Sequence, residues 1–149
     1  MGYSIYLSDP VTREVLELDE PHFMRGGMYK LGGDTELRLY ITYNYSDWYY
    51  RDDTFGDKVE TEEGSTGGIR TLYGMTGLES IPLLERVISV LENLDEDLME
   101  EDLTEEEIEE YRNNCEGSYW VPTRTNALKP LYQLLTMAKM RPDGVWQGD

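Results

Sequence analysis

Near its start the chain alternates apolar and polar side chains. Tyr3, Ile5 and Leu7 stand against Ser4 and Tyr6, the period of a strand with one buried face. Residues 13–18 repeat the pattern less cleanly, with Val15 and Leu16 between Glu14 and Glu17. Ser8-Asp9-Pro10 between the two is turn chemistry, so an N-terminal hairpin is predicted. Glycine pairs at 26–27 and 32–33 bracket residues 28–30 as a tight loop or a short strand. Residues 36–45 give the longest alternation. It puts Leu37, Leu39, Ile41, Tyr43 and Tyr45 on one face and Arg38, Tyr40, Thr42 and Asn44 on the other. Ser46 is then placed to cap a short helix through Trp48, Tyr49 and Tyr50. Periodicity is lost over residues 51–68, which are acidic, polar and glycine-rich around Phe55 and Val59; a mobile loop is predicted there.

The second half follows the helical period. Thr76 with Glu79 forms a capping box, and Leu78, Ile81, Leu84, Ile88 and Leu91 recur at helical spacing to about Asn93, with Pro82 in the tolerated first turns. Thr104 with Glu107 makes a second capping box for a short helix over 105–111. Thr123 or Thr125 is placed to cap a last helix whose stripe is Leu128, Leu131, Leu134, Leu135 and Ala138. Pro130 predicts a kink, or a start just before it. Arg141-Pro142-Asp143-Gly144 is a turn, and Val145 and Trp146 are expected to fold back on the core. The pattern predicts one α+β domain over 1–149: an N-terminal antiparallel β-sheet with C-terminal helices packed on one face.

Charge changes this picture most. The net charge is −18, from 31 acids against 13 bases. That excludes phosphate-led binding to nucleic acid or to an anionic membrane, and points to a basic protein surface as partner. The acids are not spread evenly. Within 95–110, eleven of sixteen side chains are carboxylates: Asp95, Glu96, Asp97, Glu100, Glu101, Asp102, Glu105, Glu106, Glu107, Glu109 and Glu110. Leu94, Leu98, Leu103 and Ile108 give that run apolar anchorage, so it reads as a folded acidic ridge inserted between two helices. Asp52, Asp53, Asp57, Glu60, Glu62 and Glu63, with Trp48, Tyr49 and Tyr50, form a possible second patch for the same partner.

Catalytic chemistry is sparse. His22 is the only histidine and Cys115 the only cysteine, which excludes the common zinc sites and any internal disulfide. Cys115 has no activating neighbour in sequence, and a lone His22 beside Pro21 reads as a structural residue. Aligning Asp95 with the first position of a calcium loop puts Met99 and Glu100 where an oxygen ligand and a glycine are required, so that motif fails. Gly64-Ser65-Thr66-Gly67-Gly68 and Gly74-Met75-Thr76-Gly77 lack the Lys-Ser or Lys-Thr of a phosphate loop. The second precedes a helix, where an anion site competes with a plain turn and cap. No catalytic residue, metal or cofactor is predicted. The N-terminus, MGYSIYLSDP, has neither the basic region nor the apolar run of a secretory signal, so a cytoplasmic setting is expected.

Several segments resemble a family of small phage and prophage proteins with no assigned activity. They are Thr42-Tyr43-Asn44-Tyr45-Ser46, Gly68-Ile69-Arg70-Thr71-Leu72-Tyr73-Gly74-Met75-Thr76-Gly77 with Ser80-Ile81-Pro82, residues 123–127, residues 140–146 and Gly148-Asp149. Where that family follows its threonine with Glu-Gly-Asn-Ala, this chain has Arg124-Thr125-Asn126-Ala127, and Pro130 interrupts the helix beyond. The resemblance implies a phage accessory protein, and the charge adds a role. The expectation is a non-enzymatic inhibitor of a host nucleic-acid-binding defence protein, of the anti-CRISPR kind, whose acidic surface mimics nucleic acid in the host cytoplasm. It would act as a monomer or small homo-oligomer. A second expectation is a small-ligand, nucleotide-like site lined by Asn44, Arg70, Asn126, Arg141, Asp143 and Trp146. A third is a structural or assembly protein of the virion.

Overall fold

The computed structural model describes residues 2–25, 30–62, 64–94, 105, 106, 109 and 123–148, with 19–25, 30–35 and 65 described at the backbone. The architecture is α+β. Strand β1 (Gly2–Ser8) lies at the centre of an antiparallel three-stranded sheet, flanked by β4 (Arg38–Thr42) and β7 (Val145–Gly148). Ile5 is opposite Leu39 on one side, and Leu7 is opposite Trp146 on the other. Strands β2 (Glu17–Arg25) and β3 (Lys30–Glu36) pair with each other as a two-stranded ribbon. Strands β5 (Val59–Thr61) and β6 (Gly64–Thr66) form a short hairpin. The helices are α1 (Ser46–Tyr49), α2 (Gly77–Glu92) and α3 (Arg124–Met140).

The period-two reading of β1 holds. Tyr3, Ile5 and Leu7 are buried, while Ser4 and Tyr6 are half-exposed. Leu39 and Ile41 bury on the same face of the sheet, and Leu37 buries beside them. The alternation stops earlier than its pattern suggests. Thr42 Oγ1 accepts the Asn44 amide at 3.2 Å and starts a 3-10 turn over Tyr43–Tyr45, so Tyr43 leaves the core face and Tyr45 enters the core from the turn. Ser46 is inside α1 and does not cap it; its Oγ shares a hydrogen bond of 2.7 Å with the Tyr3 hydroxyl.

Residues 13–18 do not form the expected strand. Val15 makes one isolated bridge to Ser8, and Arg13 takes a φ of 66° in the preceding turn. Asp9 Oδ1 holds that turn by accepting the amides of Val11 (2.8 Å) and Thr12 (3.0 Å). Pairing from Glu17 onward is with β3 instead.

Helices α2 and α3 lie antiparallel. The expected capping box at Thr76 and Glu79 is present in both directions, at 3.1 Å and 3.0 Å. Leu84, Val87, Ile88 and Leu91 are buried, but Leu78 faces solvent. Its position in the first turn is set by the 141–144 turn, whose carbonyls take the first amides of α2: Gly77 N–H to Gly144 O (2.7 Å) and Leu78 N–H to Pro142 O (3.0 Å). A Cβ on Gly77 would sit 2.7 Å from Arg141 O, so only glycine admits this approach. At the far end, Arg124 Nη1 donates to the Leu91 (3.0 Å) and Glu92 (3.3 Å) carbonyls and closes the C-terminus of α2. Thr123 is the cap of α3, and the helix runs on through Pro130 rather than starting there.

Trp146 ties the layers together. It is fully buried, and its Nε1–H donates to Ser80 Oγ at 2.7 Å, while Ser80 donates to Gly77 O at 2.7 Å. The free edge of β7 is covered by residues 74–76: Gly74 N–H bonds Trp146 O and Trp146 N–H bonds Met75 O, both at 2.9 Å. No helix among the described residues is long and apolar enough to cross a membrane.

Candidate acidic interaction surface

Residues 51–68 are anchored at their base and charged at their tip. Thr54 is buried, and its hydroxyl lies 2.9 Å from Trp48 O and 3.0 Å from Arg51 O. Phe55 is buried edge-on to Tyr49, with ring centroids 6.0 Å apart. Arg86, on α2, donates to Thr54 O at 3.1 Å and so holds the segment from the helix side. Gly68 N–H bonds Gly56 O at 3.0 Å, closing the loop on itself. A Cβ on Gly67, whose φ is 84°, would fall 2.0 Å from Asp57 O; this close approach requires glycine. The segment expected to be a loop carries the short β5–β6 hairpin, and these contacts fasten its base.

Beyond that base the side chains face water. Asp52, Asp53, Asp57, Glu60 and Glu62 are exposed, against the two cations Arg51 and Lys58. Arg51 grips Asp53 with two bonds, at 2.9 Å and 3.1 Å, and this holds the Asp53 carboxyl below its ordinary range. Lys58 pairs with Glu60 at 3.2 Å. Asp57 is pushed the other way. A hydrogen bond with Asp52, and then the charge of Asp52, raise its pKa, the sign of crowded negative charge.

The predicted second patch is only partly on this surface. Trp48 and Tyr49 are fully buried and present no side chain to a partner. Two aromatics in succession on a short helix read equally well as surface or core; here the Tyr49 hydroxyl finds the Ala127 carbonyl at 2.8 Å inside the protein. Burial pushes that hydroxyl's pKa well up. Tyr50 is half-exposed and stays at the surface beside Arg70, whose Nη1 is 3.4 Å from its hydroxyl. The guanidinium of Arg70 also lies 4.8 Å from the Tyr3 ring centroid and 5.8 Å from that of Tyr43. Tyr43 and Arg70 therefore join Tyr50 next to the acidic loop. Their separation in sequence leaves no local signal for this.

In the long acidic run, Glu105, Glu106 and Glu109 are exposed on helical backbone. Asp95, Glu96, Asp97, Glu100, Glu101, Asp102, Glu107 and Glu110 lie outside the described residues, as do Glu63, Cys115 and Thr104, the partner of Glu107 in the expected second capping box.

The six residues of the expected small-ligand site do not converge. Trp146 is in the core, and Arg141 and Asp143 pair with each other at 2.8 Å in the exposed turn. That pairing lowers the Asp143 pKa. Asn126 is buried near the start of α3, with its Oδ1 accepting from Lys129 at 3.3 Å. The helical rise of ~1.5 Å per residue separates Asn126 from Arg141 by roughly 22 Å. Asn44 and Arg70 belong to the tyrosine cluster. The anion site considered ahead of α2 is likewise filled, because carbonyls of the 141–144 turn and the Thr76 hydroxyl already take its amides. Among the described residues no three His, Cys, Asp or Glu side chains are grouped to hold a metal ion.

No family model, curated protein or solved structure matches this chain.

Proposed function

We propose that this protein is a non-enzymatic inhibitor that occupies the nucleic-acid-binding groove of a host defence protein, in the manner of an anti-CRISPR protein. The observation that carries this reading is the crowding of exposed carboxylates on the hairpin pinned by Thr54, Phe55 and Arg86, where Asp52 raises the pKa of Asp57. A hairpin fastened at its base keeps its exposed carboxylates together, which lowers the ordering cost of binding. The eleven carboxylates of 95–110 add to the negative charge of the chain. Such complementarity speeds encounter and is screened over ~8 Å at physiological salt.

The partner is a cationic groove in a nuclease or defence complex of the bacterial cytoplasm. Neither nucleic acid nor membrane is bound directly. The test is replacement of Asp52 and Asp57 by Asn and of Glu60 and Glu62 by Gln in the full chain. Inhibition of an RNA-guided nuclease that the wild type blocks is expected to fall steeply, with the circular dichroism spectrum unchanged. Equal inhibition by the variant would falsify the reading.

A further inference from the structure

Charge alone brings a partner near and is screened by salt, so something else must hold it. Beside the acidic hairpin lies a surface of another kind. Tyr43 is 36% exposed, and Tyr50 and Arg70 are half-exposed. Both tyrosines are set from below. The buried Tyr3 lies edge-on to Tyr43, with ring centroids 4.7 Å apart, and its hydroxyl is fixed by the bond with Ser46 Oγ. Arg70 Nη1 donates to the Tyr50 hydroxyl at 3.4 Å, and Nη2 donates to the Tyr43 hydroxyl at 3.5 Å. Tyr50 is pressed on Gly68, where a Cβ would fall 2.5 Å from its Cε1. The amide of the same Gly68 closes the hairpin base on Gly56 O, so one glycine joins the tyrosines to the acidic loop.

On this surface the chain already holds guanidinium groups in two ways. Arg51 grips Asp53 through a two-bond fork, and the guanidinium of Arg70 lies 4.8 Å and 5.8 Å from the ring centroids of Tyr3 and Tyr43. A lysine ammonium has no fork and holds its water more tightly. We infer that this face selects arginine. The partner meets Tyr43 and Tyr50 with arginine side chains, and the exposed carboxylates of Asp52, Asp57, Glu60 and Glu62 pair with others beside them. The inference rests on the reading of the hairpin as a nucleic-acid mimic, and it makes the receiving groove arginine-rich rather than lysine-rich. Tyr3 and Arg70 hold the two rings in advance, so little side-chain freedom is lost when an arginine stacks on them.

The test is titration of the full chain with octa-arginine and with octa-lysine at physiological ionic strength, following the tyrosine ring signals by NMR. The two peptides carry equal charge, so a difference between them reports stacking and forked pairing. The Tyr43 and Tyr50 signals are expected to move with octa-arginine at a concentration about threefold lower than octa-lysine requires. Tyr132, similarly exposed on α3, should not move. Tyr43→Ala should weaken octa-arginine binding about threefold and leave octa-lysine binding unchanged, while Tyr43→Phe, which keeps the ring, should retain the preference. An equal response to the two peptides overturns the inference. So do shifts that spare Tyr43 and Tyr50, or a preference that survives Tyr43→Ala. Those outcomes leave the proposed function standing; it falls instead if the variant lacking the four hairpin carboxylates inhibits as well as the wild type.

Discussion

Two turn-rich segments of this molecule end in opposite places. Residues 141–148 carry Pro142, Gly144 and an exposed Arg141–Asp143 pair, yet they deliver Val145 and Trp146 into the core and complete the sheet. Residues 51–66 carry similar turn chemistry, yet past Phe55 their hairpin stays outside, with Val59, Glu60 and Thr61 all exposed. The difference is in what each segment can bury. Trp146 offers a large apolar surface and a single N–H that Ser80 satisfies. The acidic hairpin carries carboxylates, Lys58 and small polar groups around a single large apolar side chain, Val59, so it gains little from leaving water. Thr54 and Phe55 are the exception, and they mark where the loop is fastened.

This comparison can be broken most directly at Trp146. Trp146→Ala should destabilise the fold by about 3–5 kcal/mol, read from urea unfolding. A loss below about 1 kcal/mol would show that the closing segment is only laid against the core. At the base of the acidic hairpin, Thr54→Val removes a buried hydroxyl from the Trp48 carbonyl and should cost about 1–2 kcal/mol. An unchanged unfolding midpoint would mean that the hairpin is not fastened there. Thr76→Ala breaks the capping box beside the closing segment, with an expected loss of about 1 kcal/mol.

Acid should cost stability through the bonded carboxylates rather than through the tip. Asp9, Asp53, Glu79 and Asp143 have pKa values lowered by bonds from backbone amides or arginines. A lowered native pKa contributes stability above the ordinary carboxylate range, and that stability is lost as pH falls through the native value. Asp57 has the opposite sign. Its raised pKa favours the native state while protonated, and that contribution is lost as pH rises through the native value. Stability is therefore expected to fall on acidification below the ordinary carboxylate range, with a shallower fall in Glu79→Ala. At the tip, Glu60→Gln and Glu62→Gln should each change stability by no more than about 0.5 kcal/mol. Asp52→Asn should return the Asp57 titration toward its ordinary range by carboxyl NMR. A Glu60→Gln loss as large as that at Thr54 would erase the distinction between base and tip.

The helices were the most legible part of the sequence, because their signals are local. Thr76 with Glu79, and the recurring Leu84, Ile88 and Leu91, are enough to place α2. The sheet was legible only where a strand has one wet face. Strand β7 has four residues and is defined by β1, across a separation of 137 positions between Ser8 and Val145. Periodicity along the chain cannot report such a pairing. The alternation over 36–45 misled at Tyr43, because a turn bond from Thr42 outcompetes continuation of the strand. The exposed acids at 52–62 were legible as charge. The aromatic half of that patch was not, since Trp48 and Tyr49 find internal partners while Tyr43 and Arg70 arrive from elsewhere.

The central claim is that carboxylates on this surface stand in for nucleic acid. The most direct measurement is capture from a bacterial lysate on immobilised wild type and on the Asp52→Asn, Asp57→Asn, Glu60→Gln, Glu62→Gln variant, each column eluted with duplex DNA. The account predicts a nucleic-acid-binding protein retained by the wild type, released by DNA and absent from the variant. Equal retention by the variant, or retention that DNA does not displace, would contradict it.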